Sequence, residues 1–266
     1  MKIVVFDLDE TLGSFVQCGI FWDSLTNYVT QKNKKYLTQT NFDEILDLYP
    51  EFLRPNIINI LNYLKTKKQT NCCQKMMIYT NNTGSSEWAR YIVKYFENKL
   101  NYVLIDQIIS AFKINNKHIE LCRTTHNKTH NDLIKCTKIP LNTEICFIDD
   151  MFHPKMATDN VYYINIKPYY YDLQFEEMLN RFILSNVGKQ IIDNDVDFKT
   201  TIMKHINLFK YLIADKNEKE IKVDIILGKQ IMLHLHNFFN KTIKNRTIKN
   251  RTIKTQNIKN KTAKNR

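Results

Sequence analysis

Apolar residues in this chain come in short unbroken runs separated by stretches of helical period. The runs at 3–6, 76–79, 102–105, 145–148 and 161–164 lack the alternation of a strand with one wet face. They predict strands buried on both sides of a parallel sheet. Between them, Ile57, Ile60, Leu61 and Leu64 fall at i, i+3, i+4 and i+7, one apolar stripe that predicts a helix over 56–66. Ser85 or Ser86 can cap a helix with Glu87 in its first turn and Trp88, Tyr91, Ile92 and Phe96 facing inward. Thr129 can cap a helix running to about Lys138, and Asp172 one that carries Phe175, Met178, Leu179 and Phe182. The alternation predicts an α/β fold: a three-layer, Rossmann-like parallel sheet of about five strands with right-handed crossovers.

Two regions break the rhythm. Residues 13–53 read as helical near 21–30 and 42–52, a small helical insert after the first strand that forms a flap or small lid. Residues 186–240 carry helical patterns around 198–214 and 221–239, extra C-terminal helices expected to pack on a catalytic domain of residues 1–185. The last 26 residues repeat with a period of five, as in Thr242-Ile243-Lys244-Asn245-Arg246 and Thr247-Ile248-Lys249-Asn250-Arg251. That period matches neither helix nor strand, and like charges recur densely, so 241–266 is expected to be a disordered basic tail.

The tail changes the meaning of the net charge of +12. It holds ten Lys or Arg and no acid, leaving 29 basic against 27 acidic residues in 1–240. The body is near neutral, and no basic patch on it follows from composition. No window approaches the roughly 20 apolar residues of a membrane span, and the chain opens directly into a strand with no leading signal. An intracellular protein, in cytoplasm or nucleus, is expected, and Asn-x-Ser/Thr sites such as Asn127 are expected to stay bare. The cysteines at 18, 72, 73, 122, 136 and 146 form no C-x-x-C pair, and all six are expected to be reduced.

Four short segments carry chemistry. Asp7-Leu8-Asp9-Glu10-Thr11 follows the first strand, where side chains at a carboxyl end project into a ligand crevice. Asp7 can attack phosphorus and hold a metal, and Asp9 can move the proton of the leaving oxygen. Alone, this is a polar turn after a strand with two acids. Thr80 ends the second strand and leads into Asn81-Asn82-Thr83-Gly84, where a hydroxyl and turn amides can bind phosphate; an ordinary Asn/Gly turn reads the same way. Lys128 stands before the cap Thr129, at a helix mouth that favours anions, though a single Lys is usually solvated. Lys135 and Lys138 are rivals placed farther along that helix. Asp149-Asp150 ends the strand 145–148, and two acids at a buried strand end call for a hard cation such as Mg²⁺. The histidines show no metal spacing: His234 and His236 are two apart on a helix, His126 and His130 straddle a helix start, and His153 reads as a loop residue.

In that order, strand-DxDxT, strand-Thr, Lys-helix and strand-DD, the chain over about 1–170 resembles the haloacid-dehalogenase (HAD) superfamily of phosphohydrolases. The resemblance implies Asp7 as nucleophile forming an aspartyl-phosphate, Asp9 as acid/base, and Thr80, Asn81 and Lys128 on the phosphate. It implies Mg²⁺ held by Asp7, Asp149 and the backbone carbonyl of Asp9, with Asp150 binding directly or from behind. Within the superfamily, Asp7 to Leu12 and Leu53-Arg54-Pro55 look like the Fcp/Scp-type phosphatases of the RNA polymerase II C-terminal domain. The chain is also similar to HAD-like proteins of large DNA viruses with basic tails, which implies a virus-infected host cell. It departs from the Fcp/Scp pattern in its helical 13–53, its long Lys128-to-Asp149 spacing and its Asp-Asp ending.

The function expected is a Mg²⁺-dependent phosphatase acting on a macromolecular phosphomonoester, a phosphoprotein or a nucleic-acid end. The alternative is a nucleic-acid-binding or packaging protein that uses this body as a scaffold. Its ten tail cations would hold phosphate backbones without sequence preference, and no interleaved aromatic residue supports base stacking.

Overall fold

The computed structural model of the protein describes residues 1–240; the basic repeat 241–266 lies outside the described residues. The strands are β1 (Lys2–Phe6), β2 (Lys75–Tyr79), β3 (Gln107–Ile109), β4 (Lys113–Ile114), β5 (Lys117–His118), β6 (Glu144–Asp149) and β7 (Val161–Asn165). The helices are α1 (Val16–Gln31), α2 (Gln39–Leu48), α3 (Ile57–Gln69), α4 (Ser86–Leu100), α5 (His130–Thr137), α6 (Phe175–Leu184), α7 (Asn186–Ile191), α8 (Asp195–Ile206) and α9 (Glu218–Asn240). Five strands pair in parallel in the order β3-β2-β1-β6-β7, and β4 and β5 form a separate antiparallel hairpin. The expected α/β, Rossmann-like, three-layer architecture with C-terminal helices is observed.

The unbroken apolar runs have their cause in this sandwich. Val4, Phe6, Met76, Ile78, Cys146 and Ile148 point into the larger core, against every helix except α5. Ile3, Val5, Met77, Tyr79, Ile145 and Phe147 point into a smaller core closed by Leu133 of α5, Ile139 and Met156. Because the chain order reverses at β1, the crossovers on either side of it fall on opposite faces. β1 and β6 pair through Phe6 and Ile148, which sets Asp7 beside the end of β6.

The segment 13–53 forms α1 and α2, which pack into the larger core. Phe21 of α1 meets Tyr49 and Phe182 edge-on, and Phe42 of α2 meets Trp22 and Trp88. Gly13 and Leu53 bridge where the excursion leaves and returns. A Cβ at Gly13 would lie 2.4 Å from the Phe52 carbonyl, so only glycine lets the two strands of chain pass.

Three expectations need correction. The third strand is Gln107–Ile109 rather than 102–105. The amides of Leu104 and Ile105 are taken by the Glu97 carboxylate at 3.0 and 3.1 Å, so that stretch pairs with a side chain instead of a strand. Asp172 does not cap α6, which begins at Phe175; its carboxylate accepts from the Tyr211 hydroxyl (2.7 Å) and the Ala214 amide (2.9 Å), tying the connector before α9 to the body. The cysteines are not all reduced, because Cys122 and Cys136 form a disulfide with Cα atoms 5.0 Å apart. The pairing arises in three dimensions, where the end of α5 meets the loop that follows β5.

Candidate active site

The site is built on the turn that follows β1. Leu8 and Leu12 are fully buried in the larger core, and the Leu12 amide donates to the Leu8 carbonyl at 2.9 Å, closing one helical turn. With those two leucines held inward, Asp9 and Glu10 are carried to the open side. Glu10 adopts a left-handed φ of 56°, uncommon outside glycine and asparagine. Arg54, 1 % exposed, holds this turn: its guanidinium donates to the carbonyls of Thr11 (2.6 Å), Glu10 and Lys167 (2.9 Å). Burial lowers the Arg54 pKa to about 10, so it remains a cation.

The C-terminal segment reaches the same turn from behind. The Tyr169 amide donates to the Glu10 carbonyl at 2.9 Å, and its ring lies between Arg54 (5.4 Å) and the Lys216 ammonium (4.3 Å). Lys216 pairs in turn with the buried Asp224 of α9.

Opposite the turn, the loop that leads into α5 supplies the cation. Thr129 caps α5 by accepting from the Asp132 amide at 3.0 Å, which fixes the residue before it. Lys128 is 1 % exposed, with its ammonium 2.6 Å from Asp7 Oδ1 and 2.7 Å from Asp149 Oδ2. Burial alone would lower its pKa; Asp7 and Asp149 outweigh that and raise it, so the ammonium is charged. At the end of β6, Asp149 Oδ1 accepts from the Met151 amide at 2.8 Å. Thr11 joins this edge to the first turn, donating to Asp150 Oδ1 at 3.1 Å and accepting from the Asp150 amide at 3.2 Å.

The site is short of positive charge. Asp7, Asp9, Asp149 and Asp150 surround one lysine. Burial raises Asp149 against the pull of Lys128, and raises Asp150 with help from Asp7. Oxygens of Asp7, Asp149 and Asp150 lie within 4.8 Å of one another, a spacing that fits one hard divalent cation. The Asp9 carboxylate is outside that group. Its Oδ2 accepts from Asn82 Nδ2 at 2.7 Å, while its Oδ1 is buried with no hydrogen-bond partner. Burial, opposed by the Asn82 bond, lifts Asp9 to about 6, the range of a group that exchanges protons near neutral pH.

Thr80 stands at the end of β2, 2 % exposed, and its hydroxyl oxygen accepts from the Asn82 amide at 2.9 Å. Asn81 is held beside it, its Oδ1 accepting from Arg123 at 2.7 Å. It is Asn82 that reaches the carboxylates. Arg123 was invisible in the sequence. It is 2 % exposed over the Tyr79 ring and donates to the carbonyls of Thr80 (3.0 Å), Ser110 (2.7 Å) and His126 (2.9 Å), gathering the β2 end, the β3 end and the Lys128 loop. His153 sits 3.5 Å from Asp149, but burial, then Lys128, lowers its pKa to about 4, so it is neutral there. His234 accepts or donates to the Tyr162 hydroxyl at 2.8 Å, and His236 stacks near Tyr63; neither joins the site.

No protein-family model matches this chain, and no curated protein matches it either. Function therefore rests on the geometry. The Asp7 carboxylate, the raised Asp9 carboxyl, a buried ammonium and a triad of oxygens suited to a divalent cation meet at the carboxyl end of a parallel sheet. That set can neutralise, hold and cleave a phosphate ester.

Proposed function

We propose that the protein is a Mg²⁺-dependent phosphomonoester hydrolase of the HAD type. The observation that carries this reading is Lys128, buried and bridging Asp7 and Asp149, with Asp9 raised to about 6 beside them. An ammonium enclosed by acids at a strand end stabilises little by itself, yet it supplies what a phosphate dianion approaching a carboxylate requires. The four segments also converge in the order and at the element ends that the superfamily pattern implies.

In the first step an Asp7 carboxylate oxygen attacks phosphorus, the ester P–O bond breaks, and Asp9 gives its proton to the departing alcohol oxygen. In the second, water attacks phosphorus and passes its proton to Asp9. The Asp7–phosphorus bond breaks, and inorganic phosphate leaves with both carboxyls restored. Lys128 screens Asp7 from the incoming charge, and Thr80 offers a hydroxyl from the end of β2. Asp7, Asp149 and Asp150 would hold the Mg²⁺, which supplies electrostatic stabilisation of the transferred phosphoryl group.

The nucleic-acid-binding alternative rests on 241–266. The last turn of α9 lies against Lys2, whose ammonium donates to the Phe238 carbonyl at 2.8 Å, at the far end of β1 from Asp7. The described part of the chain thus ends at the opposite edge of β1 from Asp7. Turnover of para-nitrophenyl phosphate with Mg²⁺ is the direct test. Asp7→Asn should lower it by more than about 10³-fold with an unchanged circular dichroism spectrum. Wild-type turnover by that variant would sink the assignment.

A further inference from the structure

A groove of about 450 Å³ opens beside the catalytic turn, between the loop after β2 and the β4–β5 hairpin. Thr80 and Asn82 form its inner end, and Ser110, Ile114, Ile119 and Lys117 are among the residues along it. Asn82 belongs to both places, since its amide also holds Asp9 at 2.7 Å. Asp9 is the group that hands a proton to the leaving oxygen. Asn82 thus joins Asp9 to this groove, which is the space beside Asp9 that the body of a departing alcohol can occupy.

The outer wall is a built feature. Asn115 and Asn116 have φ of 48° and 62°, the paired left-handed conformation of a tight two-residue hairpin turn. Phe112, just before the hairpin, packs edge-on against His118 (4.6 Å) and His126 (5.3 Å), which fixes the hairpin to the loop carrying Lys128. The groove is lined by amides, hydroxyls and a few aliphatic groups. Among the described residues lining it, Lys117 is the one formal charge. A lysine is a compact point charge suited to phosphate, and the volume suits a group the size of a nucleotide or sugar phosphate.

We propose that the substrate is a phosphomonoester whose alcohol carries a second phosphate, bound by Lys117 in this groove while the first is cleaved at Asp7. The proposal rests on the phosphoryl-transfer reading above. The second phosphate can belong to a free bisphosphate or to the neighbouring diester of a nucleic-acid end, and the test separates these sources.

The full chain with Mg²⁺ is assayed on adenosine 3′,5′-bisphosphate, on the 3′- and 5′-monophosphates, and on oligonucleotides phosphorylated at either end. The bisphosphate or an oligonucleotide should exceed the monophosphates in kcat/KM by on the order of tenfold. The better of the two identifies the source. Lys117→Ala should bring that ratio close to one through KM, with kcat retained, and Lys117→Arg should restore it. A ratio near one in the wild type overturns the proposal, as does a ratio that survives Lys117→Ala. Failure of the parent reading is seen separately, as wild-type protein with no Mg²⁺-dependent turnover of para-nitrophenyl phosphate.

Discussion

The two faces of the sheet are built on opposite plans. The face that carries α1–α4 and α6–α9 is a deep aromatic and aliphatic core, with Phe21, Phe42, Tyr49, Phe182 and Phe198 packed ring against ring. Its buried cation near the site is Arg54, whose Nε and Nη2 donate to three backbone carbonyls. The other face is closed by α5 and a short turn, and it buries Lys128, Arg123, Asp132 and His153. Burial of each large apolar side chain contributes roughly 1.5–3 kcal/mol, whereas buried charges are at best near neutral unless fully paired. The thick face therefore supplies the stability that lets the thin face hold buried charged groups, and the turn after β1 is clamped between them.

Among variants that leave the proposed nucleophile in place, the largest effect should come from removing the thin face's central charge. Lys128→Met should slow turnover by about 10²–10³-fold and destabilise the fold by about 3–5 kcal/mol, because Asp7 and Asp149 lose their buried partner. The pH dependence has a definite sign. Without the ammonium, the Asp149 carboxyl, already raised by burial against the pull of Lys128, rises farther above the unfolded value of about 4. A carboxyl raised on folding loses stability as pH climbs through its folded pKa. The deficit against wild type should thus be larger at pH 8 than at pH 5 in metal-free urea titrations. An equal deficit at both would mean that Lys128 acts through packing alone.

Arg54→Met tests the thick face's hold on the same turn. Three carbonyls lose their donor, and the left-handed Glu10 loses its restraint. A loss of about 2–4 kcal/mol is expected, with a fall in turnover smaller than that of Lys128→Met. Arg54→Lys should recover little, since one ammonium cannot replace a planar fork aimed at three acceptors. Full recovery by lysine in thermal melts would show that charge, and not geometry, holds the turn.

These contributions differ in how far they could be read from the chain. β1, β2, β6 and β7 were legible because burial on both sides writes an unbroken apolar run, and the acids at their ends stood out against it. Lys128 was found through Thr129, whose capping geometry depends on local sequence alone. β3 was misplaced by a few residues because Glu97, in the helix before it, satisfies the amides of an equally apolar stretch. Arg123 left no mark as a site residue, and Arg54 and Asn82 stood in noted motifs with no role for their side chains: an arginine buried by distant carbonyls looks, in sequence, like one on the surface. The hairpin could have been found, since Asn115-Asn116 between Ile114 and Lys117 is a turn signal.

The smallest effect expected is that of the disulfide on the thin face. Cys122 and Cys136 are 14 residues apart, and the ring they close contains Arg123 and Lys128. Closing a loop of this size stabilises by up to about 3 kcal/mol through the unfolded state. Cys136→Ser should lower stability by that amount or less in oxidising buffer, and the difference should vanish once wild type is reduced with a dithiol. Lys128 is already fixed by two carboxylates and by the Thr129 cap, so turnover on para-nitrophenyl phosphate should hold at the wild-type level. Were turnover to fall together with the bond, the thin face would depend on a covalent tie, and its ion pairs would be too weak to position the ammonium by themselves.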